Sequence, residues 1–554
     1  MGGGVQYRPT EINERGKPEH RSSVVHLNGP VAPGRPAPEK GTSMSESTPP
    51  PWWKGATVYQ IYPRSFADSD GDGVGDLNGV LNHLDHLQYL GVDALWLSPI
   101  FRSPMADAGY DISDYCDVDP LFGSLADIDR LIAEAHARGI RVLLDFVPNH
   151  TSDQHPWFIE SRSSRNNPKR DWYIWRDEPN NWRAALNAGS AWTWDEHTQQ
   201  YYLHLFLPQQ PDLNWRNPEV VEAMHGVLRF WLDRGIDGFR VDVIHCTGKE
   251  PSFADDPRCL AGQPLVEFND QPYSHEVLRG LRRLVDSYPG ERVLVGEVNI
   301  RATERVLQYY GAGDELHMSF NFQPLDAPWE PVMFRTCIRD VEALLKPANA
   351  WPTWVLSNHD NSRQRSRYQG SLRSAHAAAV LLLTLRGTPF IYQGEELGLE
   401  DAVIDPDEQV DPGGRDGGRA PIPWLAAPPH GWYGRPPWLP FPPDSEVLAA
   451  ERQLREPDST LALYRRLIAA RKRSPALLQG DWEELPSHPN VLAYRRQFGD
   501  DHRVVCLNFA DQPHAFPING RWQVEVASDA QGENEPYSGE LAAGQALILC
   551  PEEH

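Results

Sequence analysis

Apolar positions along the chain recur with two periods. Short, mostly apolar runs alternate with longer segments whose apolar residues return every three or four positions. The runs "ATVYQIYP", "ALWLSP", "IRVLLDFVP", "GFRVDVI", "RVLVGEV", "LHMSFNF", "TWVLSNHD" and "GTPFIYQGEE" read as eight strands. The segments between them read as amphipathic helices. One carries Leu77, Val80, Leu81, Leu84, Leu87 and Leu90 on one face. A second, "LADIDRLIAEAHARG", stops at Gly139, and a third, "PEVVEAMHGVLRFWLDRG", opens with Pro218. This alternation predicts a parallel sheet covered by helices, and eight repeats predict an α/β protein built on a (β/α)8 TIM barrel. In such a barrel functional residues belong at the C-terminal ends of the strands.

The pattern also divides the chain. Residues 1–50 are rich in Pro, Gly and Ser, end in "STPPP" and predict a disordered tail, with a native start expected at Met44. Residues 51–149 form the first part of the barrel. A Trp- and Asn-rich excursion over 150–215 predicts a subdomain inserted after the third strand. The barrel resumes over 216–478, and residues 479–554 show the short, turn-broken runs of a C-terminal all-β domain, a β-sandwich.

Inside "GFRVDVIH", Arg240 and Asp242 are two residues apart and share one strand face. A buried ion pair is weak evidence of stability, because desolvation offsets attraction. The pair is therefore either a structural salt bridge or chemistry. Three more acids, Asp145, Glu297 and Asp360, fall at or near the ends of strands three, five and seven. Four carboxylates converging on one barrel mouth repel each other and drive their pKa values apart. Glycoside hydrolysis needs that: a protonated acid for the leaving oxygen and a carboxylate for the anomeric carbon.

Composition narrows the partners. A net charge of -25 argues against nucleic acid and anionic membrane surfaces and suits a neutral substrate. Eight of the 19 Trp lie between Trp157 and Trp231; indoles stack on sugars, but core packing is the commoner use. The six cysteines form no CxxC pair, which favours reduced thiols and a cytoplasmic location. No run of about 18 apolar residues predicts a membrane span, and the first residues lack the basic and apolar regions of a secretory signal.

The motifs "GATVYQIYP", "DFVPNH", "GFRVDVIH", "GEV", "SNHD" and "GTPFIYQGEE" stand in this order. They resemble the α-amylase family of glycoside hydrolases (family 13), from Gly55 to the end of the barrel and more weakly beyond. The resemblance implies a retaining double displacement. Asp242 would be the nucleophile, kept ionised and aimed by Arg240, and Glu297 the general acid and then base. Asp360 would stabilise the oxocarbenium-like sugar, and His150 and His359 would grip its hydroxyls. Asp145 and Asn149 would support them.

"QPDLN", Gln210 to Asn214, resembles the oligo-1,6-glucosidase and α-glucosidase branch, which also contains trehalose synthases and sucrose isomerases. In "DAGYDISDY", Asp107 and Tyr110 match positions that meet the non-reducing-end glucose. "GRDGGRAPIPW" resembles "RDxxRTPMQW", in which Arg415 would reach Asp107 and close the pocket behind one glucose. Ala420, Ile422 and Pro423 depart from that motif, so a plain loop salt bridge stays open for Arg415 and Arg419. Val243 accompanies α-1,6 preference in part of the branch, yet it is also ordinary strand packing. The implied function is an exo-acting α-glucosidase for small, maltose-like α-glucosides. Oligo-1,6-glucosidase or a trehalose-synthase- or sucrose-isomerase-type transglucosidase are the alternatives. Transporter heavy chains that share this barrel carry a membrane anchor.

"DSDGDGVGD" places carboxylates at alternate positions among glycines, which suits a hard cation. It is no EF-hand, because Gly79 occupies the twelfth position. The resemblance implies a structural Ca2+ held by Asp68, Asp70, Asp72 and Asp76, with Val74 through its carbonyl. An acidic surface turn is the plainer alternative.

Overall fold

The computed structural model describes residues 50–300 and 303–552; residues 1–49 of the expected tail, Met44 included, lie outside the described residues. Eight parallel strands form the centre: β1 (Val58–Ile61), β2 (Ala94–Leu97), β3 (Arg141–Phe146), β4 (Gly238–Val241), β5 (Val293–Gly296), β6 (Met318–Ser319), β7 (Thr353–Val355) and β8 (Thr388–Tyr392). They are ordered β6-β5-β4-β3-β2-β1-β8-β7. Between β6 and β7 the barrel is joined by a side chain: the Thr353 hydroxyl donates to the Ser319 carbonyl at 2.9 Å.

The period of two sorts side chains between two apolar layers. Val58, Ala94, Trp96, Leu143, Val293, Val295 and Phe390 fill the lumen. Tyr59, Leu95, Leu97, Leu144, Phe239, Val241 and Leu294 point outward onto the helices. The same alternation turns Arg240 inward between Phe239 and Val241, directly paired in register with Asp145 of β3. The charged groups of the lumen thus gather where strands three and four end, joined by the neutral Gln60 of the first strand.

The outer helices include Leu125–Ala137, Pro218–Asp233, Pro272–Asp286, Pro331–Leu345, Leu372–Thr384 and Thr460–Arg473. The expected helix through Leu77 to Leu90 is two, Leu77–Asn82 and Leu84–Leu90. His83 breaks it: its ring bonds the Gly79 carbonyl at 2.8 Å and packs 3.7 Å from the Trp424 ring centroid. Among the described residues no helix is long and apolar enough to cross a membrane.

The excursion after β3 holds a helix, Pro156–Ser163, and a three-stranded sheet of Trp175–Arg176, Gln200–Leu203 and Trp192–Asp195. Its Trp residues mainly pack: Trp172, Trp182, Trp192 and Trp215 are buried, while Trp194 is exposed. The C-terminal region is a five-stranded antiparallel sheet with a two-stranded ladder, His514–Ala515 and Glu540–Leu541. One sheet face packs on that ladder through Val504, Cys506, Phe516 and Leu541. The other, with Leu492, Tyr494, Val505 and Ile548, joins the outer apolar layer of the barrel.

The Thr353 bond at the barrel seam has a measurable share of stability. Thr353→Val removes it at nearly constant shape and leaves a buried carbonyl short of a donor. A loss of about 1–3 kcal/mol is expected, read as a lower urea midpoint with an unchanged slope.

Candidate active site

The C-terminal ends of β3, β4 and β5 carry Asp145, Asp242 and Glu297. Asp145 is inside its strand; Asp242 and Glu297 each follow theirs by one residue. The ladder nevertheless continues: Asp242 N–H donates to the Phe146 carbonyl at 2.9 Å and Glu297 N–H to the Val241 carbonyl at 2.8 Å. Beyond Asp242 the alternation read as far as Ile244 fails. Val243 has φ 29°, and Ile244–Cys246 form a short 3-10 turn. A left-handed β-branched residue costs about 1–3 kcal/mol, and packing of Val243 with Cys246 and Leu265 holds it. This turn ends the strand where Asp242 must face the barrel mouth.

Arg240 is 2% exposed, and its guanidinium touches all three carboxylates. Nη1 donates to Asp145 Oδ1 and, at 2.8 Å, to Asp242 Oδ1; Nη2 donates to Glu297 Oε2. The Trp96 indole donates to Asp145 Oδ2 at 2.9 Å. Burial pushes the Asp145 carboxyl up to about 6, with Arg240 opposing. Burial also raises Asp242 well above the usual carboxylate range; Arg240 opposes, and the charges of Glu297 and Asp145 add to the rise. One guanidinium cannot neutralise three carboxylates, so the cluster keeps a proton at a pH where isolated carboxyls have lost theirs.

His359 and His150 flank this cluster as neutral rings. Burial pushes His359 down to about 3 and His150 down to about 4. The Gln60 amide donates to His359 Nδ1 at 2.8 Å, which leaves the proton on Nε2. That nitrogen is 3.2 Å from Asp360 Oδ2 and 2.7 Å from the Tyr110 hydroxyl. Tyr110 also stacks on His359 with ring centroids 5.3 Å apart. His150 Nε2 meets the Gln210 amide at 3.1 Å, and that amide also donates to Asp107 Oδ2 at 3.0 Å. Lys249, a residue the sequence did not single out, donates to Asn149 Oδ1 at 2.7 Å and pairs with Asp212 at 2.8 Å.

Arg415 spans the cavity. Nη1 donates to Asp360 Oδ1 at 2.8 Å and Nη2 to Asp107 Oδ1 at 2.6 Å. Arg419 Nη2 lies 3.3 Å from the same Asp360 oxygen. Burial works against an ionised Asp360, but His359, Arg415 and Arg419 outweigh it and hold the carboxyl well below its ordinary range. Burial raises Asp107, with Arg415 opposing. Asp411, which no motif marked, accepts from both arginines. Its sequence signal was only an acid four residues before Arg415.

Asp107, Tyr110, His150, Asp242, Glu297, Asp360 and Arg415 all line one cavity of ≈ 300 Å³, with Phe206, Val243 and Val266 as apolar wall. Arg240 and His359 lie beneath it as supports. A larger cavity of ≈ 520 Å³ near Trp175 and Tyr273 holds none of these carboxylates. The arrangement offers a proton-bearing carboxyl, a second carboxyl beside it, a separate ionised carboxylate and several hydroxyl partners, in a space for a small ligand.

The acidic loop is a separate feature. Asp68, Asp70 and Asp76 bring carboxylate oxygens within 4.8 Å of one another. Gly71 and Gly73, at φ 84° and 92°, make the tight turns, and their N–H groups donate to Asp68 at 2.7 and 2.9 Å. Asp72 is outside this group and accepts from Val74 N–H at 2.8 Å. Burial raises its carboxyl, the Val74 N–H opposes, and the charges of Asp70, Asp68 and Asp76 add to the rise. An all-oxygen, like-charged cluster on a glycine turn fits a hard cation.

A parallel eight-stranded barrel with buried carboxylates at its C-terminal rim is an enzyme architecture. Residues 60–480 match the family described as alpha amylase, catalytic domain. The chain is 44% identical over 500 residues to a probable alpha-glucosidase of Rhizobium meliloti (strain 1021), covering 83% of this chain and 90% of that protein. It is 38% identical over 521 residues to an oligo-1,6-glucosidase of Parageobacillus thermoglucosidasius, covering 84% and 92%. Among solved structures, an alpha-glucosyl transfer enzyme, XgtA, superposes with a TM-score of 0.84 at 40% identity, over 91% of this chain and 100% of that one. The trehalulose synthase MutB from Pseudomonas mesoacidophila MX-45 does so with a TM-score of 0.85 at 34% identity, over 91% and 100%. The chain belongs to the α-amylase family and is a glycoside hydrolase.

The raised Asp145 carboxyl gives a pH signature. Its folded value, about 6, exceeds the ordinary carboxyl value of 3.8, so its protonated form is the one folding favours. That contribution is fully present below about pH 4 and is lost as pH rises through about 6. The stability of the wild type relative to Asp145→Asn is therefore expected to fall by about 2 kcal/mol between about pH 4 and pH 6, and by about 3 kcal/mol in all from well below to well above those values. Urea unfolding of both proteins at stepped pH measures it; a difference independent of pH contradicts the assignment.

Proposed function

We propose that the protein is a retaining, exo-acting α-glucosidase that hydrolyses the terminal non-reducing bond of maltose-like di- and oligosaccharides. The observation that carries this reading is the Asp107–Arg415–Asp360 bridge across the cavity that Asp242 and Glu297 line. A bridge at that end leaves room for one terminal glucose and turns the scissile bond toward the opening.

In this scheme Glu297 gives its proton to the glycosidic oxygen as the C1–O bond breaks. The Asp242 carboxylate bonds C1 on the opposite face, forming a covalent glucosyl-enzyme. Water then attacks C1, Glu297 takes its proton, and the C1–Oδ bond breaks. Two inversions return α-glucose. Arg240 bears on both steps, because it offsets the charge that alternates between Asp242 and Glu297. Asp360, ionised by its arginines, faces the positive charge that develops at C1. His150, Tyr110 and Asp107 would hold hydroxyls and so fix the glucose, while His359, expected to grip a hydroxyl, lies beneath the cavity and acts through Tyr110 and Asp360.

A second reading is transfer of the glucosyl group to a sugar hydroxyl instead of water. The apolar wall of Phe206, Val243 and Val266 supports it, since such a wall favours a sugar acceptor over bulk water. The same reading spans α-1,6-linked substrates and isomerisation of a disaccharide. We further propose Ca2+ as a structural ion in the acidic loop, held by Asp68, Asp70 and Asp76 and reached by Asp72 and the Val74 carbonyl. The sparse cysteines support a cytoplasmic location, and the net charge of -25 supports neutral small-sugar partners over nucleic acid.

Purified protein given maltose, isomaltose, trehalose or sucrose separately distinguishes these readings. Free α-glucose from maltose as the first anomer, reduced at least about a thousandfold in Asp242→Ala, is expected. Faster release from isomaltose moves the assignment to oligo-1,6-glucosidase, and trehalose formed from maltose with little glucose moves it to an isomerase. Equal turnover in Asp242→Ala removes Asp242 from the nucleophile role. For the ion, a chelator is expected to lower the melting temperature and added Ca2+ to restore it, an effect lost in Asp70→Ala.

A further inference from the structure

Arg415 and Arg419 both reach Asp360, and a guanidinium carries five N–H donors in a rigid fork. In the cavity wall Asp360 and Asp107 take the Nη ends of Arg415, and from outside the wall Asp411 takes the remaining edge. Its Oδ2 accepts from Arg415 N and Nε, both at 2.9 Å, and its Oδ1 from Arg415 Nη2 at 2.6 Å. The Nε–Nη2 edge of Arg415 is thus taken side-on by one carboxylate. Nη1 and the second Nη2 hydrogen are left to face Asp360 and Asp107. The same Oδ1 also accepts from Arg419 Nη1 at 3.1 Å.

Asp411 is itself held. Its side chain is 2% exposed, and its N–H donates at 3.0 Å to Asp416 Oδ2, a carboxylate of a fully buried residue. It does not line the cavity that holds Asp242 and Glu297. Three carboxylates, Asp107, Asp360 and Asp411, alternate with two guanidinia. Only Asp411 has no face toward a sugar. We propose that Asp411 is a positioning residue that orients both guanidinia and so pre-assembles the end of the cavity that grips the terminal glucose. The proposal rests on the α-glucosidase reading and adds to it the group that makes the bridge rigid before substrate arrives.

The side-on bond predicts an asymmetric effect of mutation. Asp411→Asn keeps the shape but turns an NH2 group toward either Arg415 Nε or Nη2, and the fork must rotate. Asp411→Ala removes the hold altogether. Because the bridge grips the sugar in the ground state as well as during reaction, KM for maltose is expected to rise about 10- to 100-fold, the equivalent of one lost charge-assisted hydrogen bond. The turnover number should change much less; the melting temperature is expected to fall as well, because two buried guanidinia lose a partner, so the glucose affinity of the folded protein is the deciding readout. Binding of glucose, measured by calorimetry, should weaken by the same factor as KM rises.

Unchanged KM and unchanged glucose affinity in both variants overturn the proposal. A lowered melting temperature with unchanged KM in the folded fraction also overturns it, since that is a purely structural role. Glucose binding needs no turnover. If the wild type binds glucose but does not hydrolyse maltose, the α-glucosidase reading fails while the comparison of glucose affinities still decides Asp411. If the wild type does not bind glucose at all, both fail.

Discussion

The Arg240 guanidinium is one positive charge in contact with carboxylates from three successive barrel strands. Taking it out of water is costly, and its ion pairs return that cost only through close geometry. A lumen filled with apolar side chains at this level would fold at least as well. The arrangement is therefore poor as a stabilising device and good as a chemical one. It lets two carboxyls sit at the same place with different protonation, which neither water nor an apolar core permits.

The barrel supplies this at little conformational cost. Strand alternation alone turns Arg240 and Asp145 inward, and parallel register sets them side by side. Trp96 covers them from below: its indole ring lies 5.2 Å from the Arg240 carbon and its N–H bonds Asp145. The loops past β7 and β8 repeat the logic with Asp360, Arg415 and Arg419. There Asp360 faces His359 and two guanidinia at once, and the balance tips the other way, toward full ionisation. One barrel rim thus holds a carboxyl cluster kept partly protonated beside a carboxylate kept charged.

Much of this could be read from residue order. The eight strands and the Arg240–Asp242 spacing follow from a period of two, which is local and visible. The bridge from Arg415 to Asp107 came from resemblance, and it forms although Ala420, Ile422 and Pro423 depart from the motif. What stayed hidden is what depends on distant pairing or on single backbone angles. Nothing in "VIHC" announces a left-handed Val243, since the turn is held by Leu265 from another loop. Nothing near His83 announces the helix break, since Trp424, far along the chain, presses on it. Gln210 was visible as a branch marker, but its bonds to Asp107 and His150 join segments with no shared pattern.

The C-terminal sheet gives the molecule a property that its division into regions conceals. Leu492, Tyr494, Val505 and Ile548 lie in the same apolar layer as the barrel helices Leu372–Thr384 and Thr460–Arg473. Arg496 reaches from the sheet to the carbonyls of Thr384 and Gly480. A cut near residue 480, where the family match stops, would pass through the middle of a hydrophobic layer. The catalytic barrel is accordingly not a transplantable module. Its outer wall is completed by strands of the C-terminal sheet, so the apolar layer over the helices Leu372–Thr384 and Thr460–Arg473 closes only where those strands cover it.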